Sequence, residues 1–304
     1  MHEKRISRRQ FIGSAAAFAG GILLSSRALA AAEKKAAGTA ADQVPLGKTG
    51  LKLSRLGFGT GSVGGSVQRN LGHEGFNRLI RYAYDQGITY IDTADAYKTH
   101  EWVREAIKGL PREKLFIQSK IGGNPQNPLQ ELDRFRKELG VEYIDSVLVH
   151  CAVSKSWDEE RKKVMDALEE AKGKKIIRAH GASFHSIPAL ARSAQLDWMD
   201  VHLVRINPHG SHMDTPAEHW NAKSDASHVP AVVEQVKVIR DKRHGTVGMK
   251  IMGEGDFTSR EEREKSIRFA MQGGLLDVIV IGFKSTAEID EAIEFINKAL
   301  AQTA

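Results

Sequence analysis

The apolar positions of the chain follow two alternating patterns from Val44 onward. Short runs rich in β-branched residues are typical of buried strands, and longer segments with apolar residues every three or four positions are typical of helices. The pattern predicts eight strands, which end near Phe58, Asp92, Ser119, His150, Ser183, Arg205, Lys250 and Gly282. It also predicts eight helices, at 74–86, 100–109, 129–139, 158–172, 186–194, 229–243, 260–272 and 285–299.

This strict alternation of strand and helix indicates βα units around a parallel sheet. Eight units in order predict an α/β fold, a single-domain (β/α)8 TIM barrel. The alternative is an open doubly wound sheet, because nothing in the sequence forbids eight units laid out flat. The glycine-rich stretch 57–65 resembles a dinucleotide fingerprint of such a sheet, but we expect loop rather than helix over 66–72, so the match is poor.

The first thirty residues have the three parts of a signal peptide. Residues 1–9 are basic, residues 11–24 are apolar and rich in Ala and Gly, and residues 28–30 form a small-x-small cleavage site. Ser7-Arg8-Arg9-Gln10-Phe11-Ile12 resembles the twin-arginine (Tat) signature, which a receptor reads. The alternatives are an amphipathic basic arm or an uncleaved anchor, although the apolar stretch is shorter than the roughly 20 residues that span a membrane.

These features predict a Tat signal peptide at 1–30, a flexible linker at 31–43 and the barrel at 44–304. We therefore expect transport in the folded state by the Tat translocase to the periplasm or another extracytoplasmic location, without stable membrane insertion. Proteins are often exported folded because a cofactor has to be loaded in the cytoplasm. The signal therefore raises the expectation of a bound cofactor.

Composition and charge narrow the class further. With 41% hydrophobic and 27% charged residues among 304, the chain can bury a core of ordinary size, which excludes collagen-like, disordered and disulfide-stapled classes. The net charge is +6, but five of the basic residues and only one acidic residue fall within 1–30. The small remaining excess predicts no nucleic-acid binding. A single cysteine, Cys151, excludes an intrachain disulfide.

Four residues of complementary chemistry fall at the ends of predicted strands: Asp92, Tyr97, Lys120 and His150. Catalytic groups of a barrel lie at this end of its strands. Tyr97 could supply a proton if the ammonium of Lys120 lowered its pKa from the usual value of about 10. Asp92 could hold Lys120 charged, and His150 could donate a hydrogen bond to a carbonyl. Each residue alone also has a structural explanation, such as a cap or a core group.

These residues resemble the tetrad of the aldo-keto reductases, in which Asp, Tyr, Lys and His follow in this order with Asp and Tyr five positions apart. The resemblance covers nearly all of 44–299. It includes 44–51 and 56–60, which are similar to the opening hairpin and first strand of the family, and 181–183 after the run that begins at Gly173. Motifs in the same order on several strands are more specific than any one of them.

The resemblance implies an NAD(P)-dependent oxidoreductase that reduces a small aldehyde or ketone. The nicotinamide would deliver hydride to the carbonyl carbon. Tyr97 would deliver the proton to the oxygen, assisted by Lys120, Asp92 and His150. In such a reaction the protein positions the substrate and cofactor and stabilises the developing charge.

The resemblance also implies where the cofactor binds. Candidate cofactor-binding residues are Gly59, Thr60, Ser183, Asn207 and Lys250, of which Ser183 and Asn207 are expected at the nicotinamide. The family commonly clamps the nicotinamide with an Asn and a Gln, but Phe184 and Leu203 stand at those positions, and 247–253 lacks the usual stacking Tyr. These departures resemble a divergent branch of the family. In that branch we expect Asn207 to supply part of the missing polarity.

The phosphate end of the cofactor is predicted at Gly282, Lys284 and Ser285. Backbone N–H groups and a lysine at the start of a helix form a natural anion site, although Ser285 is equally suited to be an ordinary helix cap. The arginine that many relatives use for the 2′-phosphate is not evident, since Ile289 and Asp290 occupy that neighbourhood. Lys284 and the habit of the family favour NADP(H) over NAD(H).

Two further features of the sequence resemble functional sites. The stretch 209–228 is rich in His and Asp, but its spacings fit no recognised ligand set, so we predict no metal site there. We expect instead a polar lid over the substrate, with Trp220 as a wall. Cys151 follows His150 directly, and neighbouring residues of a strand point to opposite faces. We therefore expect Cys151 to be a small buried residue rather than a partner of His150.

A second class of function also fits the sequence, namely a barrel that keeps the fold but acts as a ligand-binding or sensory protein. Free NADPH is not expected to be plentiful outside the cytoplasm. An exported reductase would therefore need a cofactor that is carried along tightly bound and re-reduced by a redox partner.

Overall fold

Ten strands lie within residues 38–302, the part of the chain that the computed structural model describes. They are β1 (Gln43–Pro45), β2 (Lys52–Ser54), β3 (Leu56–Gly59), β4 (Tyr90–Asp92), β5 (Phe116–Ile121), β6 (Ile144–Ala152), β7 (Ile177–Phe184), β8 (Val201–Arg205), β9 (Gly245–Met249) and β10 (Val278–Ile281). β1 and β2 form a small antiparallel hairpin. The other eight strands are parallel and close into a barrel.

The barrel closes where its last strand meets its first. Ile279 of β10 pairs in parallel with Leu56 of β3, and the strands between them follow in chain order. Runs of buried aliphatic residues such as Val278–Ile281 are typical of parallel strands that are covered on both faces. The predicted (β/α)8 barrel is confirmed. The open sheet is wrong, because the two edges that it requires pair with each other. Each strand ends within two residues of its predicted end.

Ten α-helices of the described residues surround this barrel. They are α1 (Ser66–Arg69), α2 (Gly72–Asp85), α3 (His100–Ile107), α4 (Pro128–Leu139), α5 (Trp157–Glu160), α6 (Lys162–Gly173), α7 (Ile187–Ser193), α8 (Val229–Asp241), α9 (Arg260–Met271) and α10 (Thr286–Ala301). The eight predicted helices are present, with ends shifted by at most two residues, but the one at 158–172 is split at Arg161. The loop expected over 66–72 is wrong, because α1 and the start of α2 occupy it.

The hydrophobic core has two layers, one inside the barrel and one between the strands and the helices. The inner layer includes Tyr90, Phe116 and Leu148 together with Leu46 of the hairpin. A Cβ added to Gly245, the first residue of β9, would lie 2.7 Å from Leu46, so the hairpin covers the N-terminal ends of the strands. The opposite rim, where the strands end, is the one left for a functional site.

The segment 38–43, predicted to be part of the linker, belongs to the folded domain. Ala40 is buried, its N–H donates to Asn297 Oδ1 at 2.8 Å, and its carbonyl accepts from the N–H of Leu56 at 3.0 Å. The predicted signal peptide at 1–30 and the rest of the linker, 31–37, lie outside the described residues. Within 38–302, no helix is long and apolar enough to cross a membrane.

Candidate active site

Lys120 and Asp92 form a buried ion pair at the C-terminal end of the barrel. Asp92 ends β4, and Lys120 lies on the neighbouring strand β5. Lys120 Nζ donates to both carboxylate oxygens of Asp92, at 2.7 and 2.8 Å, and to the carbonyl of Thr93 at 2.9 Å. Burial lowers the pKa of Lys120, and the carboxylate of Asp92 opposes that shift. Since an unpaired buried charge is costly, each partner requires the other.

Tyr97 lies beside this pair, at the end of a 3-10 turn that follows β4. Lys120 Nζ is 4.8 Å from the centre of its ring. A Cβ added to Gly61 would come within 2.4 Å of Tyr97 Cε2, so the ring occupies space that a glycine leaves free. Arg69 Nη1 donates to the carbonyl oxygen of Tyr97. Contacts to the ring and to the backbone carbonyl of Tyr97 therefore fix the position of this turn.

The pKa of Tyr97 lies well above its usual value. Burial is the largest cause, followed by the negative charges of Asp92 and Glu254. The expected lowering of this pKa is wrong for this structure, because burial and the nearby carboxylates raise it. Tyr97 therefore keeps its proton at neutral pH, as a proton donor must.

His150 completes the predicted group of four. It lies near the end of β6, and its ring centre is 5.5 Å from that of Tyr97, with the two rings nearly perpendicular. Burial, and then the positive charges of Lys120 and Arg161, lower the pKa of His150 to about 3. The imidazole is therefore neutral at physiological pH and can donate a hydrogen bond from one ring nitrogen.

The prediction for Cys151 assumed that neighbouring side chains of β6 point to opposite faces, and the backbone at Cys151 departs from that pattern. Its φ is 60°, in the left-handed region, and the pairing of β6 with β7 is irregular between Val149 and Ala152. A bulge at the rim of a barrel re-aims side chains. The thiol is half-buried and its charge would act on Tyr97, so the prediction of a buried core residue is wrong. Burial raises the pKa of the Cys151 thiol.

A cavity of about 580 Å³ extends along the rim from Tyr97 to the start of α10. Ligand sites commonly enclose about 300–1,000 Å³. Gly59, Lys250, Gly282 and Lys284 of the predicted cofactor residues line it. A Cβ added to Gly282 would lie 2.1 Å from a side-chain oxygen, so glycine keeps this wall close and smooth. The cavity joins the proton donor to the N-terminus of a long helix, which suits a dinucleotide with its phosphates at that helix.

Three other predicted cofactor residues use their hydroxyl groups within the protein. Thr60 Oγ1 is hydrogen bonded to Thr99 Oγ1 at 2.9 Å. Ser183 Oγ accepts the N–H of Cys151 at 2.9 Å. Ser285 Oγ accepts a backbone N–H of α10 at 3.3 Å, which makes this residue the cap of that helix. Their hydroxyl groups are therefore occupied by contacts within the protein, and other residues line the cavity.

Asn207 also has a structural role. Its Nδ2 donates to the carbonyls of Ser211 and Lys250, at 2.7 and 3.1 Å, and its Oδ1 accepts the N–H groups of His209 and Ser211, at 3.2 and 3.1 Å. The expectation that Asn207 supplies polarity to the nicotinamide is wrong for this structure, because its amide orders the loop that begins at His209.

The two residues that depart from the family pattern lie away from the cavity. Phe184 packs in the layer between strands and helices, with its ring centre 5.9 Å from that of Trp157. Leu203 lies in the inner layer of the barrel. Both side chains therefore contribute to the core, and the nicotinamide end of the cavity gains no polar clamp from these positions.

Glu254 is a site residue that the sequence did not reveal. Its Oε1 accepts the N–H of Val63 at 2.5 Å, and its Oε2 accepts from Lys250 Nζ. This contact, which we call the Val63–Glu254 strap, ties the loop after β3 to the loop after β9 across the cavity. The two residues are 191 positions apart, so no local pattern could have shown it. Val63 and Glu254 also have left-handed backbones, with φ of 48° and 56°, which is unusual for such residues.

The end of the cavity near α9 and α10 carries two ion pairs, in each of which one positive side chain faces one carboxylate. Arg263 of α9 binds Glu291 through two hydrogen bonds, of 2.5 and 3.1 Å. Lys284 Nζ lies 3.7 Å from Glu288 Oε1. Arg263, Glu288 and Glu291 all line the cavity and were not predicted. The sequence signal that could have indicated them is the pair of acidic residues, Glu288 and Glu291, in the first two turns of α10.

The 209–228 loop is ordered by contacts to the barrel. Asp214 is buried and accepts from Arg205 Nε at 2.6 Å, and His212 Nε2 lies 3.4 Å from Asp256. Trp220 is 56% exposed.

Among residues 38–302 there is no group of three or more His, Cys, Asp or Glu side chains arranged to hold a metal.

These features together define a class of nicotinamide-dependent oxidoreductases. They are a parallel barrel, a cavity large enough for a dinucleotide, and beside it a tyrosine, a neutral histidine and a buried lysine–aspartate pair. The model described as "Aldo/keto reductase family" matches residues 55–298, and the chain belongs to that family. Aldo-keto reductases are carbonyl reductases that use NAD(P) cofactors.

Individual relatives match over shorter stretches. The chain is 35% identical over 154 residues to aldo-keto reductase YhdN of Bacillus subtilis, a match that covers 46% of each chain. It is 29% identical over 167 residues to an NADH-specific methylglyoxal reductase of Escherichia coli, covering 46% of this chain and 51% of that protein. The chain thus spans about half the length of these curated relatives. An aldo-keto reductase of Bacillus halodurans in its holo form has the same fold, with a TM-score of 0.64 over 86% of this chain and 96% of its own at 17% identity.

Proposed function

We propose that this protein reduces an aldehyde or ketone with a nicotinamide dinucleotide as the reductant. The observation that carries the proposal is the placement of Tyr97 at the inner end of the cavity, beside the buried pair of Lys120 and Asp92. A protonated phenol next to a fixed ammonium is suited to donate a proton and then to be stabilised as a phenolate.

In this proposal each side chain has a defined task. Neutral His150 donates a hydrogen bond to the carbonyl oxygen of the substrate and orients it. Tyr97 transfers its hydroxyl proton to that oxygen as the alcohol forms, and water later restores the proton. Lys120 stabilises the phenolate in between, and Asp92 holds the ammonium in place. When bound, the reduced nicotinamide supplies the hydride that the carbonyl carbon accepts.

Gly59 and Gly282 would hold the cofactor by close backbone approach, with Lys284 and the N–H groups of α10 at its phosphates. For the 2′-phosphate, Lys284 favours NADP(H), and this remains the preference that we propose. Glu288 and Glu291 offset the positive charges at that end, so we expect the discrimination to be less than about 10-fold, or about 1.4 kcal/mol. Named relatives include an NADH-specific reductase and a glycerol 2-dehydrogenase (NADP(+)).

One observation favours a second function, that of a ligand-binding or sensory barrel. The amide of Asn207 is used by its own loop, and Phe184 and Leu203 lie in the core, so the nicotinamide end lacks a polar clamp from these positions. In this alternative the cavity would take a ligand without turnover.

We further propose that the protein is exported by the Tat translocase and works in the periplasm or another extracytoplasmic location. The basic, apolar and small-x-small order of residues 1–30 supports this proposal. The cofactor would then travel with the folded protein, and a redox partner would re-reduce it. Nucleotide released on denaturing the exported protein would be identified by mass spectrometry, and exported protein without nucleotide would contradict the pre-loaded cofactor.

Fluorescence titration of the full chain with NADPH and NADH separately tests the function proposed first. We expect saturable quenching by both cofactors, with NADPH bound more tightly by less than about 10-fold. Lys284→Glu is expected to remove the preference, whereas Lys237→Glu on the exposed face of α8 is expected to keep it. If neither cofactor binds, the reductase proposal is wrong and the ligand-binding barrel takes its place.

A further inference from the structure

Three positive side chains at the catalytic rim are neutralised by carboxylates. Lys120 pairs with Asp92, as described above. Lys250 pairs with Glu254, and Arg205 pairs with the buried Asp214 at 2.6 Å. His150 is neutral at physiological pH. These groups therefore leave little net charge around the place where a carbonyl substrate meets Tyr97.

Arg161 differs from these three cations. It lies between α5 and α6, and its Nη1 donates to the carbonyl oxygen of Gly123. Within residues 38–302 that is the one hydrogen bond of its guanidinium, and no carboxylate of this part of the chain forms an ion pair with it. A guanidinium carries five N–H donors, so most of those of Arg161 remain available.

The contact with Gly123 places this guanidinium on the rim. Gly123 follows β5, the strand of Lys120, and Arg161 follows β6, the strand of His150, and these two strands are neighbours in the barrel. The guanidinium thus bridges the ends of the two strands that carry catalytic side chains. A second contact, from Asn124 Nδ2 to the carbonyl of Glu160 at 3.0 Å, joins the same two loops.

The electrostatics of the site agree with this placement. Arg161 contributes to the lowered pKa of His150 and acts in the same direction on the thiol of Cys151. Its charge therefore reaches both residues at the end of β6. Arg69 is another rim guanidinium, but it lies at the end of α1 and its Nη1 already donates to the carbonyls of Gly64 and Tyr97.

We propose that Arg161 determines substrate specificity by binding an oxyanion group on the substrate, so that the preferred substrate is an aldehyde or ketone that also carries a carboxylate or a phosphate. Guanidinium binds both groups through paired hydrogen bonds. Such a group would neutralise the charge of Arg161, which no carboxylate within residues 38–302 pairs with, and would orient the carbonyl toward Tyr97. This inference rests on the proposed reductase function and names its substrate class.

The test compares two aldehydes of the same shape, 4-carboxybenzaldehyde and its neutral amide, 4-carbamoylbenzaldehyde. The quantity measured is the ratio of their kcat/KM values with saturating reduced cofactor. For the wild type we expect a ratio of about 10 to 100 in favour of the carboxylate, as for a charge-assisted hydrogen bond. 4-Formylphenyl phosphate, tested in the same way, shows whether a phosphate is preferred over a carboxylate.

Arg161→Gln is expected to bring this ratio to about 1, and Arg161→Lys is expected to keep part of it, because a point charge replaces the planar fork. Arg78→Gln, on the exposed face of α2, is the matched control and is expected to keep the full ratio. Circular dichroism verifies folding. If Arg161→Gln does not fold, the wild-type ratio and Arg161→Lys still decide.

Each outcome separates this inference from the function on which it rests. If the wild type reduces neither aldehyde, the proposed reductase function fails and the inference fails with it. If the wild type reduces these aldehydes but prefers neither the carboxylate nor the phosphate over the amide, or if Arg161→Gln leaves such a preference unchanged, the function stands and the role of Arg161 is wrong. A high ratio that collapses in Arg161→Gln and persists in Arg78→Gln supports the inference.

Discussion

Gly61 decides how Tyr97 can be placed. A Cβ at this position would lie 2.4 Å from Cε2 and 2.9 Å from the hydroxyl oxygen of Tyr97, which is too close for a non-bonded contact of a carbon atom. The phenol therefore packs against a backbone position that carries no side chain. Proton transfer depends on the position of that hydroxyl, and small displacements of reacting groups cost large factors in rate.

Gly61→Ala is expected to lower kcat by about 10- to 100-fold, because the ring of Tyr97 must move away from the added methyl group. Steady-state kinetics with an aromatic aldehyde measure this effect. Gly122→Ala is the matched control, since it lies at the end of β5 and nothing is within 4 Å of its added Cβ. Equal kcat values for the two variants would show that Gly61 does not position Tyr97.

For single residues, the sequence predicted which side chains lie together at the rim but not their electrostatic state. The order of Asp92, Tyr97, Lys120 and His150 along the strands was enough to bring them to one rim. The raised pKa of Tyr97 could not be predicted, because it depends on burial and on the pairing of Lys120 with Asp92. The bulge at Cys151 was also hidden, since a left-handed φ at a cysteine has no sequence signal.

Among the structural elements, the Val63–Glu254 strap has the clearest functional consequence. It joins two loops on either side of the cavity through a carboxylate that accepts from Val63 and Lys250. Both loops line the space proposed for the cofactor. We therefore expect a ligand in this cavity to break or bypass the strap when it enters or leaves.

Glu254→Gln is therefore expected to raise the rate of cofactor release by about 10-fold, because a charge-assisted hydrogen bond is replaced by a weaker neutral one. Stopped-flow displacement of bound NADPH measures that rate. Glu234→Gln, on the exposed face of α8, serves as the control and is expected to leave the release rate unchanged. A release rate in Glu254→Gln equal to that of the wild type would mean that the strap does not retain the cofactor.

The elements themselves were predictable because their signals are local. Helices α4 and α7 begin with Asn127 and Ser186 as caps, each followed by a proline at the start of the helix, and such patterns mark helix ends in sequence. The short helix α1 was missed, because four residues after a glycine-rich loop carry too little periodicity to indicate a helix.

Across the whole molecule, buried histidines set a limit on acid stability. His180, His202 and His244 are each 1% exposed or less. Burial is the largest cause of a lowered pKa in all three, and it brings that of His202 to about 3. His202 and His244 also stack on each other, with ring centres 5.3 Å apart. The folded state therefore holds these imidazoles neutral at pH values where the unfolded chain would protonate them.

Protonation of these histidines favours the unfolded chain, so the stability of the folded state should fall as the pH falls. Since the folded pKa of His202 lies below the unfolded value of about 6.5, its contribution is fully present above pH 6.5 and is lost as the pH falls toward 3. We expect Tm to fall below pH 6.5, with each such histidine costing up to about 1.4 kcal/mol per pH unit. Thermal melts at several pH values measure this slope. His202→Gln should flatten it, and exposed His219→Gln should not. A flat Tm between pH 7 and 5 would contradict this expectation.

The barrel as a whole was predictable because eight strand and helix units in strict order are typical of this fold. Closure itself was left open by the sequence and is shown by the pairing of β10 with β3. The cavity was not predictable in detail. Its walls combine residues from distant parts of the chain, such as Ser62 and Glu254, and the hydrogen bond between Val63 and Glu254 joins these parts. Contacts of this kind form when the barrel closes, and no local pattern records them.

The most direct test of the proposed function is a comparison of Tyr97→Phe with the wild type in aldehyde reduction and in NADPH binding. Removing the hydroxyl group takes away the proton donor and leaves the ring in place. We expect turnover to fall by about 100- to 10,000-fold, while the Kd for NADPH changes by less than about 2-fold. Tyr143→Phe, at the opposite end of the barrel, is expected to match the wild type in both. Turnover by Tyr97→Phe at the wild-type rate would contradict the account.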